Sequence, residues 1–404
     1  METIVIQEEA GLSKAAEILR HGGLVAVPTE TVYGLAGNGL DEQAVRSIYE
    51  VKGRPEVKPL ALMVPEANWM DRFCEDIPAQ ARLLAERFWP GPLSIVLKAK
   101  ELVPEIVRAG GETVSLRCPD HPLTLKLLHL AGLPFAAPSA NPSGQPSPKT
   151  AREVEEYFDG QIDAVIDGGP CGLGRESTVL DMSQTPYRIL RQGALPAEEI
   201  ADALAEAMTV VGITGGSGCG KTTALQAIRE RGGLVLDCDK IYHELLATSA
   251  GLIRELEEAF PGTVKDGKLQ RKRLGAIVFQ DKRALARLNE ITHRHIDREV
   301  QSRLRRFAME GGKLVGLDAS ELIESGMGTR CSFTVGILAK PEIRLERIMA
   351  RDGISREYAQ MRISAQHSDD YFRQHCSFVL ENNLSTEQFL LQFNQLLEAE
   401  NKHG

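Results

Sequence analysis

Gly215-Gly216-Ser217-Gly218-Cys219-Gly220-Lys221-Thr222 fits the pattern G-x-x-x-x-G-K-[ST], whose residue types suit one task, holding a phosphate chain. Glycines let backbone N–H groups turn inward around an anion. A helix that begins at the same place points its positive end at that anion. Lys221 can reach the β- and γ-phosphates of ATP, and the Thr222 hydroxyl can hold Mg²⁺. Gly216, Gly218, Cys219, Gly220 and Thr223 complete the nucleotide-binding segment. Two acidic segments follow, Asp237-Cys238-Asp239 and Asp318, each closing an apolar run. Carboxylates at the carboxyl ends of parallel strands lie beside such a loop. One can accept a proton from a substrate hydroxyl and another can help position Mg²⁺, or either can cap a helix.

A different chemistry is suggested in the first half. Lys52, Arg54 and Lys58 put three cations within seven residues, with Gly53 and Pro55 constraining the backbone. Arg grips an oxyanion pair in a fork and Lys acts as a point charge, so the group reads as an anion clamp. A solvated surface run has the same composition. Small polar clusters lie beside apolar runs at Thr29–Thr31, Thr113–Arg117, Ser139–Asn141, Glu176–Thr178 and Leu190–Arg191. Together they supply hydroxyl and amide donors with further cations. The chain shows neither a Ser/His/Asp triad nor a Cys/His pairing. His293 and His295 are two apart, so a helix turns them in different directions and they do not read as a metal pair.

These groups need strands and helices to hold them. Leu24–Val27, Ser94–Leu97, Val114–Leu116 and Ala164–Ile166 read as strands, as do Val210–Ile213, Leu234–Leu236, Leu314–Leu317, Thr334–Leu338 and Phe378–Leu380. Glu42–Val51, Ala79–Phe88, Thr222–Arg231 and Ile343–Arg351 read as helices. The alternation predicts α/β architecture in both halves. An Ala-rich helix over 197–208 precedes a new strand, which sets domains at 1–206 and 209–404.

The 404 residues suffice for two cores, with 43% hydrophobic and 25% charged residues. A net charge of −9 argues against tight non-specific binding to nucleic acid. No apolar run reaches the ~18 residues of a membrane span. The acidic N-terminus does not read as a secretion signal. The seven cysteines are odd in number and form no C-x-x-C pair, which predicts reduced thiols and a cytoplasmic protein. Nothing in the sequence specifies an oligomeric state.

With these residues in view, the second half resembles the dephospho-CoA kinases over about 209–400. The resemblance rests on the loop Thr214–Thr223, the D-x-D strand end, Leu269–Gly275, Ile291–Ile296, Leu317–Glu324, Arg347 and Arg351 with Arg362 and Gln366, and Phe378–Asn382. It implies a P-loop NTPase-type parallel sheet with flanking helices and a helical lid. It also implies that Asp239 is the base for the ribose 3′-hydroxyl of dephospho-CoA, that Asp237 and Asp318 contact substrate, and that Arg347 and Arg351 stabilise the transferring phosphoryl group. Arg294 stands where the family has Pro, ending a helix with I-x-H-P-x-I, and Ser320-Glu321 where it has Pro-Leu.

The first half resembles the YrdC-type threonylcarbamoyl-AMP synthases over 5–205, through P-T-E-T-V-Y-G-L, K-x-R, S-A-N-x-S-G and E-S-T-V in that order. The resemblance implies a twisted α/β domain that joins L-threonine, bicarbonate and ATP for threonylcarbamoyl modification of tRNA, with transient contact to tRNA or to tRNA-modification proteins. It assigns Thr31, Arg117, Ser139 and Ser177 to threonine, and Lys52, Arg54, Lys58, Thr113, Asn141 and Arg191 to ATP. Met63 stands where the family usually carries His. Two alternatives keep the folds: a first half that is an RNA-binding or assembly module, and a kinase acting on another small alcohol.

Overall fold

The computed structural model describes residues 2–319 and 321–400. The chain forms two compact units. The first ends at Leu204 and also takes Met309–Gly311; the second takes Ala205–Ala308 and the chain from Gly312 onward.

The first unit is built on a mixed eleven-stranded sheet. Its strands run in the order Ile4–Ile6, Ala164–Ile166, Val25–Val27, Gly34–Asn38, Phe135–Ala136, Ala61–Met63, Thr113–Arg117, Leu93–Ala99, Thr178–Asp181 and Arg188–Arg191, with Cys74–Glu75 added beside Leu93–Ala99. The central strands carry β-branched and small apolar residues, and Val25, Ala26 and Val27 are all buried. Leu12, Leu19, Leu127, Leu128 and Phe135 pack against them. Asp41 caps the helix Glu42–Lys52 by accepting from Gln43 N–H. Gly53, at φ +57°, ends that helix at Lys52, two residues before Arg54.

The second unit contains a five-stranded, all-parallel sheet in the order Leu234–Asp237, Leu314–Asp318, Thr209–Thr214, Phe333–Leu338, Phe378–Glu381. The three inner strands, largely buried on both faces, read as continuous apolar runs, and the half-buried edge strands Leu234–Asp237 and Phe378–Glu381 keep enough apolar residues to read the same way. Helices Lys221–Glu230 and Thr386–Glu400 cover it, burying Leu225, Ile228, Phe389 and Phe393 against Val211, Ile213 and Val335. A separate helical part buries Leu252, Leu256, Phe260, Leu274 and Ile291. Its long helix, Lys282–Met309, continues past Ile296 instead of ending there. Arg294 supplies the backbone N–H that a proline lacks, so nothing interrupts the hydrogen-bond ladder. The helical lid is Arg356–Ser364, packed through Ala359 on Leu345 and Ile348 of Pro341–Asp352.

Candidate active sites

The first unit encloses a cavity of about 290 Å³, lined in part by Arg54, Thr113, Arg117, Ser139, Ser177 and Arg191. Strand periodicity explains one wall, because Thr113, Ser115 and Arg117 fall on one face of Thr113–Arg117. Arg117 is buried. Its Nη2 donates to Glu30 Oε1 at 2.7 Å and to Thr31 Oγ1 at 2.9 Å. Arg191 donates to the Ser177 carbonyl at 2.9 and 3.1 Å and to Ser177 Oγ at 3.1 Å, and Ser177 Oγ lies 2.8 Å from Ser94 Oγ.

Burial loosens the hold of Arg191 on its proton; Glu176 opposes this, while Arg117 and Arg54 add to it. Three guanidinium groups therefore converge on one cavity and repel one another. A bound anion would relieve that repulsion.

The clamp residues separate into different roles. Arg54 lines the cavity, and its Nη2 donates to the Pro59 carbonyl at 3.0 Å. Lys58 is exposed, and its carbonyl accepts from Tyr49 Oη at 2.9 Å. Lys52 is buried and donates to the carbonyls of Ser139 and Asn141. It is an internal strut under the S-A-N turn. Burial, with Arg54 nearby, lowers its pKa to about 8. Asn141 donates to the carbonyls of Pro142 and Gln145, and its buried Oδ1 has no hydrogen-bond partner. Met63 pairs in register with Arg117, so a thioether borders the cavity where the family has imidazole.

In the second unit, the helix Lys221–Glu230 begins directly at the phosphate loop, with Thr222 and Thr223 in its first turn. Gly220 has φ +104°, and a Cβ there would fall 2.1 Å from Asn382 Nδ2. Gly220→Ala is therefore expected to displace Asn382, which donates to the Cys219 carbonyl at 2.8 Å. A fluorescent ATP analogue should then bind at least about tenfold more weakly, the effect of some 1.4 kcal/mol. Cys219 is buried, and burial keeps its thiol protonated, so it serves the loop through its backbone. Lys221 Nζ donates to the Gly215 carbonyl at 2.7 Å.

Asp318 lies in register with Asp237 on one side and Ile213 on the other. Burial raises its pKa; Lys221 opposes this, and Asp237 and Asp239 reinforce it. The three carboxylates and the loop lysine are thus close enough to sense one another. Asp237 caps the helix Cys238–Thr248, accepting from Lys240 N–H at 2.9 Å, and Asp239 lies in that helix's first turn.

Arg347 and Arg351 lie not on the lid helix but on Pro341–Asp352 beneath it, and they divide. Arg347 donates to the Gly218 carbonyl at 3.3 Å and to Asn382 Oδ1 at 3.4 Å. Arg351 turns to Asp352, at 2.7 and 3.0 Å, and Arg362 joins the same carboxylate at 2.7 Å. These two guanidiniums pull the Asp352 pKa down to about 2.

Arg294 pairs with Glu255, on the helix Ala250–Ala259. His295 pairs with Glu255 at 2.9 Å, whereas His293 lies 3.9 Å from Glu321. Ser320 lies outside the described residues. Among the described residues, no group of three or more His, Cys, Asp or Glu side chains is arranged to hold a metal ion.

Glu30, Ser94, Glu176, Arg344 and Gln366 bear on these sites and were not assigned roles from sequence. Glu30 and Glu176 stand inside motifs already singled out; Arg344 carried no signal beyond its helix.

The Sua5–YciO–YrdC family model, described as "Telomere recombination", matches residues 17–193. The CoaE model, described as dephospho-CoA kinase, matches residues 209–388. A threonylcarbamoyl-AMP synthase from Pyrococcus abyssi is 48% identical over 199 residues, spanning 49% of this chain and 58% of that protein. One from Pseudomonas syringae pv. syringae is 36% identical over 182 residues, spanning 45% of this chain and 97% of that protein. A structure of P. abyssi Sua5 complexed with L-threonine is 30% identical, covering 84% of this chain and all of that one at a TM-score of 0.49. The chain spans little more than half the length of the Pyrococcus, Bacillus subtilis and Schizosaccharomyces pombe synthases, at 58%, 55% and 53%. The chain belongs to the threonylcarbamoyl-AMP synthase family through its first half, and its second half matches the dephospho-CoA kinase model.

Proposed function

We propose that the protein is a bifunctional, ATP-using cytoplasmic enzyme. The first half forms threonylcarbamoyl-adenylate from L-threonine, bicarbonate and ATP, for the tRNA modification. The second phosphorylates the 3′-hydroxyl of dephospho-CoA. The observation that carries the first reading is the convergence of Arg54, Arg117 and Arg191 on one hydroxyl-lined cavity. The threonine amine and bicarbonate give a carbamate and water. A carbamate oxygen then attacks the α-phosphorus of ATP, and pyrophosphate leaves. Arg117 binds the threonine carboxylate, with Thr31, Ser139 and Ser177 as hydroxyl partners. Arg54, Thr113 and Arg191 hold the triphosphate from the cavity side. Lys52 and Asn141 act from beneath, and Lys58 from the rim. The gain comes from alignment and charge neutralisation.

The second reading is carried by a phosphate loop with Asp318 and Asp239 beside Lys221. Asp239 takes the proton of the acceptor hydroxyl, whose oxygen attacks the γ-phosphorus, and ADP leaves. The hard oxygen donors Thr222 and Asp318 suit the Mg²⁺ that accompanies ATP. Arg347 stabilises the phosphoryl group from the loop side, and Arg351 does so once released from Asp352. Asp237 acts mainly by fixing the helix that carries Asp239.

The test offers ATP and Mg²⁺ to the purified chain with either dephospho-CoA or threonine plus bicarbonate, scoring ADP and pyrophosphate separately. Absence of threonine-dependent pyrophosphate would favour an RNA-binding or assembly role for the first half. ADP formed only with another alcohol would reassign the acceptor. No helix among the described residues is long and apolar enough to cross a membrane.

Lys52 adds a pH signature. Its folded pKa of about 8 lies below the ordinary lysine value of 10.5, so burying the charge costs on the order of 3 kcal/mol below pH 8. That penalty is relieved as pH rises from about 8 towards 10.5, so stability rises with pH across that window. Anion binding has the opposite sign, because it needs the charge. ATP affinity of the first half should fall as pH passes about 8. In Lys52→Met that limb should be absent from an ATP-binding titration.

A further inference from the structure

Two consecutive side chains, Gln366 and His367, hold different loops of the second unit. The lid helix Arg356–Ser364 ends just before them, and Ser368 caps the following helix, Asp369–His375. Gln366 Oε1 accepts from Ser217 N–H at 2.9 Å and from Arg344 Nη2 at 2.6 Å, while its Nε2 donates to Ser217 Oγ at 2.9 Å. Arg344 Nε donates to the Ser217 carbonyl at 3.0 Å. The N–H, C=O and hydroxyl of this phosphate-loop residue are thus all engaged by Arg344 and Gln366. The approach leaves no room for a side chain at Gly216, where a Cβ would fall 2.2 Å from Arg344 Nη2.

His367 Nε2 lies 2.6 Å from Glu324 Oε1, and the Tyr371 hydroxyl donates to the same oxygen at 2.9 Å. The His367 and Tyr371 rings stack at 3.9 Å between centroids with 15° between planes, which fixes the imidazole. Glu324 follows the strand Leu314–Asp318, and that strand pairs with Thr209–Thr214, the one leading into the phosphate loop. Residues 366 and 367 therefore tie together loops at the carboxyl ends of two neighbouring parallel strands. In open α/β sheets the ligand crevice lies there. The planar peptide between the two residues leaves few dihedrals to absorb a movement of either loop.

We infer that Gln366 and His367 are positioning residues that couple nucleotide binding at the phosphate loop to acceptor binding beside Glu324. This rests on the kinase reading proposed above. A nucleotide that adjusts the loop at Ser217 moves Gln366, and with it His367 and Glu324. Linkage requires the acceptor to tighten nucleotide binding by the same factor.

Calorimetric titration of the full chain with dephospho-CoA, with and without a non-hydrolysable ATP analogue and Mg²⁺, measures that factor. The analogue is expected to tighten dephospho-CoA about five- to tenfold in the wild type, the lower part of the usual coupling range. His367→Ala should bring the factor below about twofold while binding of the analogue alone changes by less than about twofold, because His367 does not touch the loop. Gln366→Ala should also lose the factor, whereas His367→Gln, which can still donate to Glu324, should keep most of it. Circular dichroism melts identify variants that fold. A folded His367→Ala protein with the full factor would overturn the inference, as would a wild type that binds dephospho-CoA equally well in both conditions. A wild type that binds no dephospho-CoA in either condition would overturn the kinase reading and this inference with it.

Discussion

Lys221→Ala is expected to abolish ADP formation from dephospho-CoA and ATP while leaving threonine-dependent pyrophosphate release intact. Lys221 is the cation of the phosphate loop, and its ammonium already touches the loop through the Gly215 carbonyl at 2.7 Å. Its reach to the β- and γ-phosphates places a positive charge where negative charge builds during transfer. Losing one such preorganised donor typically costs about a hundred- to thousandfold in kcat. The substitution also removes the charge that opposes the upward pKa shift of Asp318, so that carboxyl should hold its proton more tightly. The measurement is a coupled ADP assay beside a pyrophosphate assay on the same preparation. If both activities fell together in a folded protein, two independent sites would be the wrong description.

The reverse pattern is expected for the combined Lys52→Ala and Arg54→Ala variant, which should lose pyrophosphate release and keep CoA formation. The two residues contribute in different ways, so the single variants should separate. Arg54→Ala removes a cavity guanidinium whose own hydrogen bonds go to the Lys58 and Pro59 carbonyls, and the fold should tolerate it. Its loss should appear as a raised KM for ATP, by about ten- to 150-fold for a charged hydrogen bond of some 1.5–3 kcal/mol. Lys52→Ala instead leaves the Ser139 and Asn141 carbonyls without their shared donor. The Ser139 carbonyl still accepts from Asn141 N–H at 3.0 Å, but the Asn141 carbonyl is left unpaired; one buried, unpaired acceptor costs about 1–3 kcal/mol, so this variant should also melt earlier. Unchanged pyrophosphate release in the double variant would sink the site assignment.

The parallel strands of the second unit were legible because burial imposes apolar runs, whereas only four of the first unit's eleven strands were read, the others being short or, like Gly34–Asn38 and Arg188–Arg191, broken by glycine or charge. Ala79–Phe88 and Ala164–Ile166 were read to the residue, and other ends moved by one or two positions. The family resemblance singled out Arg117 and Arg191, both of which line the cavity. Side-chain destinations were harder to read. Lys52, Arg54 and Lys58 look equivalent in the sequence, yet a helix end buries the first, the cavity takes the second and solvent the third. Arg347 and Arg351 are four apart on one helix, but Asp352 draws the second one away. Asp237 and Asp239 form one motif, but the first is the helix cap. Partners that are backbone carbonyls, as for Arg344 on Ser217, leave no trace in residue types.

The order of the parallel sheet has a consequence for the protein during its own synthesis. Thr209–Thr214 is the central strand of its sheet, yet both of its partners, Leu314–Asp318 and Phe333–Leu338, come later in the chain. On the order of a hundred residues must therefore be translated before the first of these pairings can close, a process that takes about 5–20 s at ~5–20 residues per second. Throughout that interval an apolar strand, with the phosphate loop attached, has no sheet partner. The nascent second half thus exposes an unpaired apolar strand while it is made, and slower growth at low temperature should raise its soluble yield.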